Sequence, residues 1–160
     1  MKTLILYASK YGFAEECANK LVLEFGEKAD VINAEKNDPP SLDGYDAVII
    51  GGSIYMGQLQ KKLKAYMEGH KAELASKKLG LFLCSGLPEN ADVNFAANYP
   101  KELLDAAVSR EYFGGVLNKS KMSVGHKLIT KMMESVARKD GNSGPEPRPQ
   151  NIKRLAEAMN

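Results

Sequence analysis

The chain has 160 residues, 44% of them apolar, a formal net charge of +2, two cysteines and two histidines. That is one domain's worth of chain, enough to bury a substantial core, and no apolar run approaches the ~20 residues of a membrane-spanning helix. Cys17 and Cys84 form no CxxC motif, and His70 and His126 do not make a histidine-rich metal site. Charge is unevenly spread: residues 1–109 carry 12 Lys/Arg against 15 Asp/Glu, and residues 110–160 carry 10 against 5. Such a division marks either a charged partner surface or a solvated, lysine-rich helix face.

Residues 3–7 are nearly all apolar, as in a strand covered on both faces. The opening reads as that strand and not as a secretory leader, being short and without a small-residue cleavage site, so the expected compartment is the cytoplasm. A small polar loop, Ala8-Ser9-Lys10-Tyr11-Gly12-Phe13-Ala14, leads into a helical stripe of Ala14, Cys17, Ala18, Leu21, Val22 and Phe25, stopped by Gly26. A second strand is expected over 29–33, then turns at Asn37-Asp38-Pro39-Pro40 and Asp43-Gly44, then a third strand over 47–50. A glycine-rich loop, Gly51-Gly52-Ser53-Ile54-Tyr55-Met56-Gly57, follows it. Leu59, Leu63, Tyr66, Met67, His70 and Leu74 fall on one helical stripe, and residues 78–84 form a fourth strand. Residues 85–98 read as a polar loop, and Pro100 starts a helix carrying Leu103, Leu104, Ala107 and Val108. A fifth strand is expected over 111–116. Beyond it, Met122, Gly125, Leu128, Ile129, Met132, Met133 and Val136 share a stripe with several lysines, a breaker-rich link covers 140–149, and a last helix carries Ile152, Leu155, Ala156 and Met159. Strands alternating with helices mean βαβ units, right-handed crossovers and a parallel sheet.

Three loops carry the candidate chemistry. A helix that begins where a strand ends presents unpaired N–H groups and a positive dipole end, a ready anion site. At the first loop the Ser9 hydroxyl and the N–H groups of Tyr11, Gly12, Phe13 and Ala14 face that point. Neither GxxxxGK[ST] nor GxGxxG is present, so an ordinary strand-to-helix turn is the alternative. At the second loop, glycines 51, 52 and 57 allow a backbone path close to a flat ring. Tyr55 and Met56 at its apex call either for such a ring, a flavin for example, or for packing on neighbouring loops. At the third loop Ser85, Gly86, Glu89, Asn90, Asp92 and Asn94 offer polar groups to a ring's pyrimidine edge, with Leu87, Phe95 and Tyr99 to cover its other face. Cys84, at the end of the fourth strand, is either a small buried hydrophobe or a redox thiol.

Ser9-Lys10-Tyr11-Gly12 after strand one, Gly52-Ser53-Ile54-Tyr55-Met56-Gly57 after strand three and the polar loop after Cys84 resemble the flavodoxin family over nearly the whole chain. Within it the chain is similar to the branch of menaquinone-dependent protoporphyrinogen oxidases, which carry a basic helical insertion late in the chain, as residues 117–148 do here. The resemblance implies one α/β domain over 1–160, a flavodoxin-like doubly wound five-stranded parallel sheet of order 2-1-3-4-5, and one non-covalent FMN. It assigns the phosphate to Ser9, Lys10, Tyr11, Gly12, Phe13 and Ala14, the ring border to Ser53, Ile54, Tyr55, Met56 and Gly57, and the pyrimidine side to Ser85, Gly86, Leu87 and Asn90. It also implies that the Met56–Gly57 peptide can turn over when the flavin gains an electron. The chain departs from the family in having Tyr11 and Ala14 where hydroxyl residues are usual, Gln58 where an acid is common, and no tryptophan.

By that resemblance the expected function is electron transfer through FMN, with a redox partner protein or a quinone as partner and no catalytic side chain. Carboxylates such as Glu89 or Asp92 would then disfavour an anionic reduced flavin. The alternative is an FMN-dependent protoporphyrinogen oxidase that passes electrons to a quinone. In that case the basic insertion would touch an anionic membrane surface or a tetrapyrrole's propionates, although the Met122–Val136 stripe can equally pack on the sheet. A second alternative is a flavin-free module of the same fold. A phospho-receiver is disfavoured, because Ala8-Ser9 and Gly51-Gly52-Ser53 stand where its acids belong. Nucleic acid is not an expected partner, since the basic residues lack interleaved aromatics.

Overall fold

The computed structural model describes residues 1–116 and 145–160, and the Met122–Val136 stripe and most of the 117–148 insertion lie outside the described residues. Five strands, β1 (Thr3–Ala8), β2 (Ala29–Asn33), β3 (Ala47–Ser53), β4 (Lys78–Cys84) and β5 (Ser109–Gly114), form one sheet of order β2-β1-β3-β4-β5. All four pairings are parallel, so the doubly wound arrangement expected from the sequence is the one observed.

Helices cover both faces, which is why the central strands are apolar along nearly their whole length. Helix α1 (Phe13–Leu23) and the last described helix, α6 (Pro149–Met159), lie on one face, where Ile5, Tyr7, Ile49, Phe82 and Phe113 meet Ala14, Cys17, Leu21, Leu155 and Met159. Helices α2 (Lys61–Gly69), α3 (Lys71–Ala75), α4 (Ala91–Asn98) and α5 (Lys101–Ala106) lie on the other, where Leu4, Leu6, Val48, Ile50 and Leu81 meet Leu63, Met67, Leu74, Phe95 and Leu103. Gly80 lets α6 sit directly on β4, since a Cβ there would stand 2.9 Å from Met159 Sδ and 3.0 Å from Leu155 Cδ1.

Four local expectations are corrected. The third strand does not stop at residue 50. Gly51 and Gly52 stay in the ladder opposite Phe82 and Leu83, because a bare Gly51 leaves room for the Phe82 ring, which a Cβ would meet at 2.3 Å. The 59–74 stripe is two helices, broken at His70 (φ −123°, ψ 15°). Gly69 weakens the helix there, so Leu74 reaches the core while His70 stays exposed on the Tyr66 ring, 4.2 Å away. The expected 85–98 loop holds a one-turn 3-10 helix (Pro88–Asn90) and α4. The last strand runs over Ser109–Gly114 instead of 111–116. As an edge strand it tolerates the exposed Arg110 and pairs its buried Glu111 with Arg154 at 3.2 Å. The described end of the 140–149 link is pinned: Gly114 and Pro147 form an antiparallel bridge, and Arg148 N–H donates to Phe113 O at 3.0 Å.

Candidate functional site

The loops after β1, β3 and β4 converge at the carboxyl rim of the sheet, as ligand loops do in this topology. Backbone and hydroxyl bonds tie them together. Lys10 N–H donates to Ser53 Oγ at 2.9 Å and joins the first loop to the second. Ile54 N–H donates to Cys84 O at 2.8 Å and joins the second to the strand that feeds the third.

In the first loop Gly12 takes φ +97°, a left-handed cap that few side chains tolerate, and its N–H donates to Ser9 Oγ at 2.9 Å. Ser9 thereby braces the loop while its own O–H can still donate. No side chain caps α1, and the helix's own bonds begin with Glu16 N–H to Gly12 O. The first-turn N–H groups of Phe13 and Ala14 therefore point outward from a positive dipole end. The Ala14 side chain is wholly buried in the core, so only its backbone reaches the loop, while Lys10 is exposed and Tyr11 and Phe13 are half-buried. Glu16 is drawn away by Lys20 at 3.0 Å.

The second loop is a two-residue hairpin. Tyr55 N–H bonds Gln58 O at 2.9 Å and Gln58 N–H bonds Tyr55 O at 3.0 Å. Met56 (φ +53°) and Gly57 (φ +76°) occupy its centre, the signature of a type I′ turn. A methionine at positive φ, 61% exposed, is a strained and uncovered apex. Tyr55 meets Tyr11 edge-on at 6.4 Å, and Lys10 Nζ lies 4.6 Å above the Tyr55 ring. Ile54 is half-buried against the sheet core.

The third loop begins with the buried Ser85, whose N–H donates to Gly114 O at 3.0 Å and whose carbonyl accepts Tyr112 O–H at 2.5 Å. Its hydroxyl is buried and, among the described residues, has no hydrogen-bond partner. Gly86 and Leu87 are half-buried beside it. Asn90 is exposed at the start of α4, caps nothing with its side chain, and stands apart from the bonds that join the loops. Phe95 and Tyr99, expected as ring covers, are core residues: Tyr99 is 3% exposed and its O–H donates to Phe82 O. Cys84 is a buried free thiol, pushed well up by burial and by its neighbour Cys17, and so is no thiolate near neutral pH.

Four residues that the sequence did not single out shape the site. Asn98 on α4, 4% exposed, accepts Leu59 N–H at 2.9 Å and donates to Gly57 O at 3.0 Å. Gln60 Nε2 donates to Ser53 O at 3.0 Å and to Ser53 Oγ at 3.2 Å. Tyr112 and Arg148 stand beside the third loop, with the Arg148 guanidinium 5.3 Å from the Tyr112 ring centre. An asparagine in a polar stretch and an arginine in a breaker-rich link carry no sequence signal of such roles.

This rim can hold an anion at the α1 terminus and the polar edge of a planar ring beside Ser85. Among the described residues no cluster of His, Cys, Asp and Glu could hold a metal ion, and no helix is long and apolar enough to cross a membrane.

The comparisons with known proteins agree with this architecture. A flavodoxin-domain family model matches residues 4–143. The protoporphyrinogen IX dehydrogenase [quinone] of Escherichia coli K12 is 35% identical over 79 residues, which are 48% of this chain and 44% of that relative, so the matched segment spans less than half of the relative's length. Among solved structures, a short-chain flavodoxin associated with a PDU bacterial microcompartment superposes with a TM-score of 0.62 at 14% identity, covering 99% of this chain and 97% of that one. A Fusobacterium nucleatum flavodoxin bound to flavin mononucleotide superposes at 0.50 with 10% identity, covering 69% of each. With its sheet order and the family match over 4–143, the chain belongs to the flavodoxin-domain family.

Proposed function

We propose that the protein binds one FMN at the three-loop rim and transfers electrons through it. The observation that carries this reading is the convergence of an uncapped helix terminus, a strained exposed hairpin and a buried serine hydroxyl, unpartnered among the described residues, at one edge of a flavodoxin-family sheet. The residues fit such a ligand. The N–H groups of Gly12's neighbours and the Ser9 hydroxyl would take the phosphate, with Lys10 adding charge. Tyr55, Met56 and Gly57 would border the ring. Ser85 Oγ, Gly86 and Leu87 would meet its pyrimidine edge, while the exposed Asn90 is at the margin. When bound, the flavin supplies one- and two-electron chemistry, and the protein positions it and sets its electrostatics. Asn98 fixes the hairpin, and Ser53, bonded from both Lys10 and Gln60, keeps the first two loops at one spacing.

The test is the absorbance spectrum of the purified protein and the quenching of FMN fluorescence on titration. Saturable one-to-one quenching is expected. Unquenched FMN at micromolar protein would leave the flavin-free reading.

The similarity to a quinone-linked dehydrogenase favours a second reading, oxidation of a tetrapyrrole with electrons passed to a quinone. Turnover of protoporphyrinogen with a menaquinone analogue, and salt-sensitive co-sedimentation with anionic vesicles, would support it. FMN binding without either leaves an electron carrier whose partner is another redox protein.

A further inference from the structure

A positive charge is built into the wall behind the third loop. Arg148 enters where the chain returns to the sheet, its N–H bonded to Phe113 O at 3.0 Å. Gly114 makes that return possible: it sits at φ +85°, and a Cβ there would stand 2.1 Å from Glu146 O. The Arg148 side chain then crosses the face of Tyr112. Among the described residues its buried Nε makes no hydrogen bond and the guanidinium forms no ion pair, the Arg154–Glu111 pair being separate. Arg148 is half-buried, so the cost of holding it here falls on the buried Nε. Tyr112 offsets part of that cost, as an aromatic face under a cation. Its O–H bonds the Ser85 carbonyl, so the cation, the ring and the first residue of the third loop form one contiguous stack. The Ser85 hydroxyl in that stack is also buried and, among the described residues, unpartnered. Of the carboxylates that the sequence offered here, Asp92 and Glu89 are both exposed, and Glu89 acts on Tyr112 with the sign opposite to Arg148.

We propose that Arg148 is a positioning residue whose charge stabilises negative charge on the pyrimidine side of the bound flavin, so that this chain favours the anionic, two-electron-reduced ring. The inference rests on the FMN reading above. Two-electron reduction adds a proton and an electron pair at N5 and leaves the excess negative charge across N1 and the C2 carbonyl. A cation beside the loop that meets this edge lowers the energy of that state and not of the neutral oxidised one. The expected acidic surroundings would do the opposite.

Sulfite is a suitable probe. Its sulfur lone pair forms a bond to N5 of oxidised flavin, the displaced pair moves to N1 and the C2 carbonyl, and nothing leaves. The experiment uses the full-length FMN-loaded protein and its Arg148→Gln, Arg148→Lys and Tyr112→Phe variants. Sulfite binding, read from bleaching of the flavin band, is expected to weaken at least tenfold in Arg148→Gln. It should recover most of its strength in Arg148→Lys and stay near wild type in Tyr112→Phe, which keeps the ring under the cation. Equal affinity in wild type and Arg148→Gln overturns the inference. So does a loss that lysine does not restore, or one that Tyr112→Phe reproduces, since either makes the residue a mere support for the loop. Should Arg148→Gln not retain FMN, the wild type and Arg148→Lys decide by sulfite: both are expected to bleach on titration, and an FMN-loaded wild type that does not bleach overturns the inference. Failure of the wild type to bind FMN is a different result, and refutes the FMN reading itself.

Discussion

Replacing Asn98 by alanine tests the part of the site that least resembles a site in the sequence. The side chain is 4% exposed and serves two backbone groups of another segment, Leu59 N–H at 2.9 Å and Gly57 O at 3.0 Å. Its third bond, to Asn94 O at 3.0 Å, falls on its own helix and is dispensable. Alanine leaves the buried Leu59 N–H with no partner, at ~1–3 kcal/mol, while the carbonyl of the exposed Gly57 can turn to water. At ~2–4 °C per kcal/mol for a chain of this size, Tm should fall by roughly 2–12 °C. Thermal melts followed by circular dichroism measure the fall, with the exposed Asp92→Ala on the same helix as a control expected within about 1 °C of wild type. Amide exchange adds position: Gln58 and Leu59 should lose protection before the sheet does. A change in Tm below 2 °C with unchanged exchange at Leu59 would refute the clamp.

Gly114→Ala should be strongly destabilising, by ~3 kcal/mol or more, because φ +85° and the Glu146 carbonyl both exclude a Cβ; a urea midpoint within error of wild type would contradict this. Gly57→Val meets open space but sits at φ +76°, so its cost is backbone strain alone, ~1–2 kcal/mol, and Gly57→Asn should recover most of it; equal melts for the two variants would sink that account. Tyr45 is pushed up to about 12, first by burial and then by its hydrogen bond to Asp30 at 2.7 Å. A raised pKa contributes stability that is whole below pH ~10 and lost as pH rises through 12, here ~1–2 kcal/mol once the half-exposed Asp30 is discounted. Tyr45→Phe should flatten the alkaline limb of a urea-stability profile, and identical slopes for the two proteins would show that the pair is not the cause.

The periodicity of the chain reveals the elements that bury a face. The strand over 78–84 and the last helix stand where the alternation of apolar runs and stripes puts them, because a doubly covered central strand is nearly continuously apolar, and the edge strand over 29–33 stands there too, half-buried and with Asp30 and Asn33 tolerated. The errors fall where a neighbour overrides a local signal. Gly51-Gly52 reads as a loop in isolation and is a strand because Phe82 fills the space above it. Residues 91–98 read as polar coil and form a helix, because only Phe95 and Asn98 face inward and two inward residues leave little trace. At the rim, Gly12 and Gly57 are legible, since positive φ selects glycine. The Asn98 clamp and the Arg148–Tyr112 stack are not, because each joins segments far apart in the chain, 39 residues for Asn98–Leu59 and 36 for Arg148–Tyr112, and the Gln60 brace, though only seven residues from Ser53, depends on the hairpin between them.

The hairpin at Tyr55–Gln58 shows how one such detail bears on chemistry. Family resemblance implies that the Met56–Gly57 peptide can turn over, and the glycine invites that view. With both Tyr55–Gln58 bonds kept, a half-turn of the peptide rotates Met56 ψ and Gly57 φ together. Gly57 moves cheaply to negative φ. Met56, already at φ +53°, would be carried to extended ψ, a region open essentially to glycine alone, at ~1–3 kcal/mol. Asn98 holds the Gly57 carbonyl, which belongs to the following peptide and keeps its place in this motion. The residue that decides whether the turn can rearrange is thus the methionine and not the glycine, and it favours a single state. A turn held in one state cannot answer a change of charge on a neighbouring ring by reorienting its own dipoles. What remains to distinguish one charge state of that ring from another is fixed charge, and beside the third loop that charge includes Arg148 over the Tyr112 ring, with Glu89 acting on the same ring from the loop itself.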